Sequence, residues 1–331
     1  MPEPTRPNRA AVKKVVVINV IHEAGLRVLQ AREDVALAVV AEPDAEQVRR
    51  ELAEAHGIIV RTFPIDRPTI EAAPALEVVS RHGVGYDNVD VAALDERGVP
   101  LTIVGDVNAV PVAEQALFMM LALAKKGAAL DRAVRGGEFA KRDSAGIAEL
   151  WRKTILILGF GRIGRQVAAR CRAFGMTVLA YDPYIDAATI EAAEGRKVED
   201  FRDALGEADY VTLHMPLAPE TANMIGAAEL AAMKPEACLI NVARGGLADE
   251  AALTAALREG GIAGAGLDTF ASEPPEPDNP LLTLENVILS PHSAGLSDEC
   301  RERMAIACAE NVLAVFDGSI EPRLVVNAAV V

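Results

Sequence analysis

Short apolar runs rich in Val and Ile alternate with amphipathic stretches along almost the whole chain. Five such runs, at 13–21, 35–40, 56–61, 76–80 and 100–104, predict buried strands, and helical patterns such as the one over 44–55 lie between them. Continuous apolar strands separated by helices indicate a parallel sheet covered on both faces. A second series follows, with strands predicted at 154–159, 177–182, 210–215, 238–243, 263–268 and 286–290. Two long helical patterns flank that series, one from about 110 to 126 and one near 298–316. The first is apolar nearly all round, so it is read either as a helix buried between two bodies or as an ordinary core helix. The tail RLVVNAAVV reads as extended.

Composition fits two bodies. At roughly 150 residues per domain, 331 residues divide into two, and 51% hydrophobic residues exclude intrinsic disorder. Subtracting 48 acidic from 33 basic residues leaves a net charge of −15. Nucleic-acid and anionic-membrane partners are therefore not expected, since both require an excess of Lys and Arg. An anionic ligand would need a local positive pocket inside a repelling field. Cys171, Cys238, Cys300 and Cys308 form no CxxC pair and no metal-ligand spacing, so no metal is expected and isolated thiols fit a reducing compartment. The N-terminal MPEPTRPNRAAVKK lacks the apolar core of a signal peptide. The longest uninterrupted apolar stretch, 116–124, is far shorter than the roughly 20 residues of a membrane span. A cytoplasmic protein is expected.

The segment TILILGFGRIGRQVAARCRAFGMTVLAYD carries the most specific signal. Gly159, Gly161 and Gly164 stand directly after an apolar strand and before an amphipathic helix. The first glycine permits the tight turn, the second admits a pyrophosphate to the backbone, and the third allows close packing of helix on strand. The helix start then offers unpaired amides and a positive dipole end. Asp182 ends the next strand 18 residues after Gly164, close to the spacing of the acid that accepts from adenosine ribose hydroxyls. A carboxylate there would repel the additional phosphate of NADP, and Pro183 and Tyr184 follow rather than an Arg, so NAD is the expected cofactor.

Arg244 in INVARGG, Glu273 in LDTFASEPP and His292 in ILSPHSAG each follow an apolar strand of the second series. Ligand sites of open α/β sheets gather at such strand ends. Taken singly, Arg244 could cap a strand, Glu273 could be a solvated acid and His292 a packed structural histidine. In this order, with GFGRIG, YDP and RHGVGYDNVD, they make the chain resemble the NAD-dependent D-isomer-specific 2-hydroxyacid dehydrogenases, with the phosphoglycerate dehydrogenase-like branch nearest. The resemblance covers residues 15–326.

That resemblance implies His292 as the proton-transfer residue, a role suited to imidazole near neutral pH. Glu273 would orient the ring, and Arg244 would hold the substrate carboxylate and C2 oxygen with its fork of donors. Val84 and Gly85 match the loop whose amides hold the carboxylate. Arg162 and Ile163 match pyrophosphate positions, and Met215, Val242, Ala243, Asp268, Ala294 and Gly295 match positions near the nicotinamide half. Arg61 is a further candidate for a second anionic group, with a surface ion pair as the alternative, and His82 is a candidate to line the pocket. His214 reads as a cofactor-proximal loop residue; His22 and His56 read as structural.

The resemblance also implies two Rossmann/flavodoxin-like, doubly wound parallel-sheet α/β domains. The nucleotide-binding domain, 108–294, would be inserted in a substrate domain made of 1–107 and 295–331. The site would lie in the cleft between them, and residues 131–151 would match the arm through which relatives form homodimers. Three features depart from the family pattern. Arg152 stands where a glycine is usual, and Met215 where a Thr is common in phosphoglycerate dehydrogenases. The chain also ends at Val331, so the C-terminal regulatory domains of longer members are not expected. The expected activity is interconversion of a D-2-hydroxy acid and its 2-keto acid. Glyoxylate/hydroxypyruvate reduction is the alternative substrate reading, and a non-enzymatic NAD(H)-sensing protein the alternative class. Formate dehydrogenases are less similar, because they carry Gln where Glu273 stands.

Overall fold

A computed structural model describes residues 11–330. Residues 1–10, most of the stretch expected to lack a signal peptide, and Val331 lie outside the described residues. The chain forms two compact units, one from residues up to Asn108 together with those from Asp298 onward, the other from Ala109 to Ser297. The return crossing therefore comes three residues later than position 295, the start expected from the sequence.

The first unit holds β1 (Lys13–Ile18), β2 (Val35–Val40), β3 (Ala55–Val60), β4 (Val78–Arg81) and β5 (Leu101–Ile103), ordered β2-β1-β3-β4-β5 and all parallel. Val15 to Ile18 are fully buried because helices cover both faces of the sheet. Aspartates start several of these helices: Asp44 accepts from the amides of Glu46 (3.0 Å) and Gln47 (2.8 Å). His22 caps the Glu23–Gln30 helix by accepting from the Ala24 amide (3.2 Å), and His56 accepts from the Lys14 amide (3.1 Å). Both therefore have structural partners, as their sequence context implies. The Glu23–Gln30 helix packs on the Asp298–Phe316 helix so closely that a Cβ on Gly25 would overlap the Ala305 carbonyl.

The second unit holds β6 (Thr154–Leu158), β7 (Thr177–Tyr181), β8 (Arg196–Lys197), β9 (Tyr210–Leu213), β10 (Cys238–Asn241), β11 (Gly264–Leu267) and β12 (Val287–Leu289). Their order is β12-β11-β10-β9-β6-β7-β8, again all parallel. Successive residues of β6 feed opposite cores: Leu156 and Leu158 join one apolar cluster, Ile155 and Ile157 the other. This is the period of two that a strand buried on both faces requires. Each fully buried Leu or Ile contributes about 1.5–3 kcal/mol. The Ala109–Lys125 helix lays Met119 against β11, where a Cβ on Gly266 would stand 2.7 Å from that of Met119. Its buried face is thus accounted for by the sheet of its own unit.

Sequence and structure differ at strand ends. Several expected strands run one to three residues too far, because side chains take over the backbone bonding. Asn241, for instance, donates to the Arg244 carbonyl (2.7 Å) and accepts from the Ala243 amide (3.1 Å), ending β10. The strand β8 has no apolar run to announce it. The tail is not a strand: it forms 3-10 turns at Pro322–Leu324 and Ala328–Val330, with an isolated bridge from Val325 to Thr102. Asn327 holds it there, accepting from the Leu101 amide (2.8 Å) and donating to Asp95 and the Val99 carbonyl.

Candidate active site

In the second sheet the strand order reverses between β6 and β9, and the crevice at the carboxyl ends of such strands is where ligands bind. Gly159, after β6, has φ +97°, and a Cβ there would stand 2.7 Å from the His214 carbonyl oxygen at the end of β9. Met215 lies beside the same turn. Gly164 is equally obligatory, since a Cβ would overlap the Gly159 carbonyl. Gly161, by contrast, caps the Arg162–Ala173 helix facing open space, with nothing within 4 Å of an added Cβ. That is the opening a diphosphate needs next to backbone amides at a helix start. Arg162 is exposed at the same turn, and Ile163 packs inward.

Asp182 completes the cradle. One of its oxygens accepts from the Phe160 amide (2.8 Å) and the other from the Tyr184 amide (2.9 Å), which ties the carboxylate to the glycine turn. Each oxygen keeps a lone pair for a ribose hydroxyl. The residues present thus fit an NAD molecule. His214 is half-buried, with its ring Nε2 2.9 Å from the Thr212 hydroxyl and its enclosed Nδ1 without a hydrogen-bond partner. Burial pushes its pKa down to about 3, so it is neutral at working pH and serves no acid–base step.

Arg244, Glu273 and His292 follow β10, β11 and β12. Gly245 lets the Arg244 turn sit directly against the backbone of Phe270, which a Cβ would overlap. The Arg244 guanidinium donates to the Ala243 carbonyl (2.7 Å). Glu273 Oε1 accepts from the Phe270 amide (3.1 Å), and its Oε2 lies 2.7 Å from His292 Nδ1. Both side chains stay partly open, 37% for Glu273 and 48% for His292, as a group that exchanges a proton with a ligand requires. A carboxylate accepting from Nδ1–H leaves Nε2 as the nitrogen available to a substrate. His292 adopts φ +49°, a left-handed conformation unusual for a side-chain-bearing residue, and its amide donates to the Asp268 carbonyl (2.7 Å). The Asp268 carboxylate, fully buried, accepts from the amides of Ser293 (2.9 Å) and Ala294 (2.8 Å). Val242 and Ala294 are buried nearby in sequence order, Ala243 and Gly295 partly so. A cleft of about 460 Å³ adjoins the pair, lined by Phe270, Glu273, Pro274, Leu282, Leu289 and His292.

The first unit brings a second group together at the carboxyl ends of its own sheet. Val84 and Gly85 lie partly buried in the loop after β4. Just before them, His82 is only 6% exposed, and neither ring nitrogen has a hydrogen-bond partner. Burial, then Arg81, Arg61 and Arg301, push its pKa down to about 4. Arg61 is itself lowered, by burial first and by Arg301 second. Sequence reading named Arg61 and His82 but missed Arg81 and Arg301. Arg81 belongs to the quoted RHGVGYDNVD segment, whereas Arg301 comes from the Asp298–Phe316 helix and gives no sign of its destination. Among the described residues no group of three His, Cys, Asp or Glu side chains is placed to hold a metal ion. No helix there is long and apolar enough to cross a membrane.

A doubly wound sheet with a glycine-lined strand-to-helix turn at its switch point, and an acid at the end of the next strand, defines a dinucleotide-binding protein. Comparison with known proteins narrows this. Residues 117–294 match the model of the D-isomer specific 2-hydroxyacid dehydrogenase, NAD binding domain, and the chain belongs to that family. It is 38% identical over 313 residues to a D-3-phosphoglycerate dehydrogenase of Methanocaldococcus jannaschii, covering 94% of this chain and 59% of that protein. The chain thus spans well under two thirds of that relative's length. A glyoxylate reductase of Korarchaeum cryptofilum is 40% identical, with 94% of this chain and 95% of that one aligned. Among solved structures, a D-lactate dehydrogenase from Aquifex aeolicus complexed with NAD and lactic acid superposes with a TM-score of 0.84 at 29% identity, covering 92% and 96% of the two chains. The second unit is accordingly an NAD-binding domain.

Proposed function

We propose that the protein is an NAD-dependent oxidoreductase that interconverts a D-2-hydroxy acid and its 2-keto acid, phosphoglycerate dehydrogenase-like in character. The observation that carries this reading is the 2.7 Å pairing of His292 with Glu273 in the unit that binds the dinucleotide. In the reductive direction, the chemistry that NADH would supply when held there is a hydride for C2 of the keto acid. His292, protonated on both nitrogens, gives the Nε2 proton to the C2 oxygen, and the resulting neutral imidazole keeps its Nδ1–H on Glu273. In oxidation the same nitrogen takes the hydroxyl proton. Arg244 neutralises the substrate carboxylate and the developing charge on the C2 oxygen. Gly159, Gly161, Arg162, Ile163 and Gly164 hold the pyrophosphate and Asp182 the adenosine ribose, while Met215, Val242, Ala243, Asp268, Ala294 and Gly295 surround the nicotinamide half. The first unit is the substrate domain, with Val84 and Gly85 as its candidate substrate-binding residues.

The arginines around His82 support a substrate with a second anionic group, a phosphate or a second carboxylate. A homodimer built through residues 131–151 is supported by the exposure of Val134, Phe139, Ile147 and Trp151 on that stretch. A cytoplasmic setting is supported by four cysteines that are all buried and form no disulfide among the described residues. The test is NADH oxidation against glyoxylate, hydroxypyruvate, pyruvate, phosphohydroxypyruvate and longer 2-keto acids. We expect turnover of about 1 s⁻¹ or faster on at least one, with anionic side chains preferred in kcat/KM. NADH binding without turnover on any of them would instead favour a sensing protein. Asp182→Ala should weaken NADH binding by at least about tenfold and narrow the preference over NADPH, each hydrogen bond to a charged group being worth about 1.5–3 kcal/mol.

A further inference from the structure

The loop bearing His292 is held by a chain of hydrogen bonds that begins on a different element. Gln115 lies in the Ala109–Lys125 helix, about 175 positions earlier in the chain, and its Nε2 donates to the Ser290 hydroxyl (3.0 Å). The Ser290 hydroxyl donates in turn to the Asp268 carboxylate, the group that accepts from the Ser293 and Ala294 amides. A serine hydroxyl carries a single hydrogen. With Gln115 filling an acceptor position on the oxygen, that hydrogen is directed to Asp268. Asp268 then receives three donors from residues 290, 293 and 294, which bracket His292, while its main-chain carbonyl receives the His292 amide itself (2.7 Å). The left-handed φ of His292 is an unfavourable backbone state that persists only where the surroundings over-determine it.

We infer that Gln115 and Ser290 are positioning residues that hold His292 in register with Glu273, the Gln115 amide setting the direction of the Ser290–Asp268 hydrogen bond. The inference rests on the reading of His292 as the proton-transfer residue. Neither side chain needs to touch the substrate for this role; each acts through Asp268 on the loop. A misplacement of the order of 1 Å at a reacting group costs up to about a hundredfold in rate, so a partial loosening is expected to cost about tenfold.

The test compares Gln115→Leu, Ser290→Ala, Ser290→Thr and the Gln115→Leu/Ser290→Ala double variant of the full chain. In Gln115→Leu and Ser290→Ala, kcat should fall about tenfold while KM for the keto acid and the Kd for NADH stay within about twofold. Ser290→Thr, which keeps the hydroxyl, should restore most of kcat. The double variant should be no worse than Ser290→Ala alone, since both break one chain. Independently of turnover, amide hydrogen exchange at Ser293 and Ala294 should accelerate about tenfold in Gln115→Leu. Unchanged exchange there, or additive losses in the double variant, would overturn the inference. A wild-type chain that turns over no 2-keto acid would sink the functional reading instead, and the exchange measurement would still decide whether Gln115 holds the loop.

Discussion

Two histidines, one in each unit, are built in opposite ways. His292 is half-exposed, stands on a strained turn and is paired with a carboxylate at 2.7 Å. His82 is buried, its ring nitrogens without hydrogen-bond partners, and burial first and the neighbouring arginines second keep it neutral down to about 4. A half-exposed imidazole beside a carboxylate is placed to exchange a proton with a ligand; a buried one beside arginines is uncharged at working pH. The first arrangement suits proton transfer. The second suits a packed ring of fixed shape beside Arg61, Arg81 and Arg301, a local positive cluster in a chain whose net charge of −15 otherwise repels anions.

The sharpest way to break the contrast is to delete each ring. His292→Ala should lower kcat by about 10³–10⁴ through loss of general acid–base catalysis, with NADH binding retained in a fluorescence titration. Glu273→Gln should fall between it and wild type. His82→Leu should leave kcat within a few-fold, and a loss comparable to that of His292→Ala would assign the chemistry to the wrong unit.

A smaller effect reads the buried rings through stability. Below pH 6.5 the unfolded chain protonates His82 and His214, while the folded protein keeps them neutral down to about 4 and about 3. The unfolded state therefore binds more protons, and stability falls with acid by about 1.4 kcal/mol per pH unit for each histidine. Urea denaturation from pH 6.5 to 4.5 should show this loss, and His82→Leu should remove about half of the slope. An identical slope in the variant would mean that His82 is solvated.

The smallest expected effect concerns Arg152, where the family pattern has glycine. Its φ is +61°, a conformation glycine adopts without penalty, and its guanidinium lies 4.2 Å from the centre of the Trp151 ring. The left-handed backbone costs about 1–2 kcal/mol, and the ring contact returns about 0.5–1 kcal/mol. Arg152→Gly should therefore raise stability by about 0.5 kcal/mol, read as a modest increase in Tm.

Much of this molecule is written locally. The apolar runs that became β1 to β7 and β9 to β12 name themselves, because central strands of a parallel sheet are covered on both faces, although β2, expected to be buried, lies at the sheet edge with Val39 exposed. Gly159, Gly161 and Gly164, with Asp182 after the next strand, announce the dinucleotide turn because close backbone approach admits only glycine. Arg244, Glu273 and His292 were legible because their flanking motifs keep a fixed order. What the tertiary structure decided is pairing at a distance. Gln115 reaches Ser290, Arg301 and Arg81 converge near His82, and Asn327 stops the tail from becoming a strand. No local pattern encodes these, since each joins residues that only the packing of separate elements brings within hydrogen-bonding or Coulomb range.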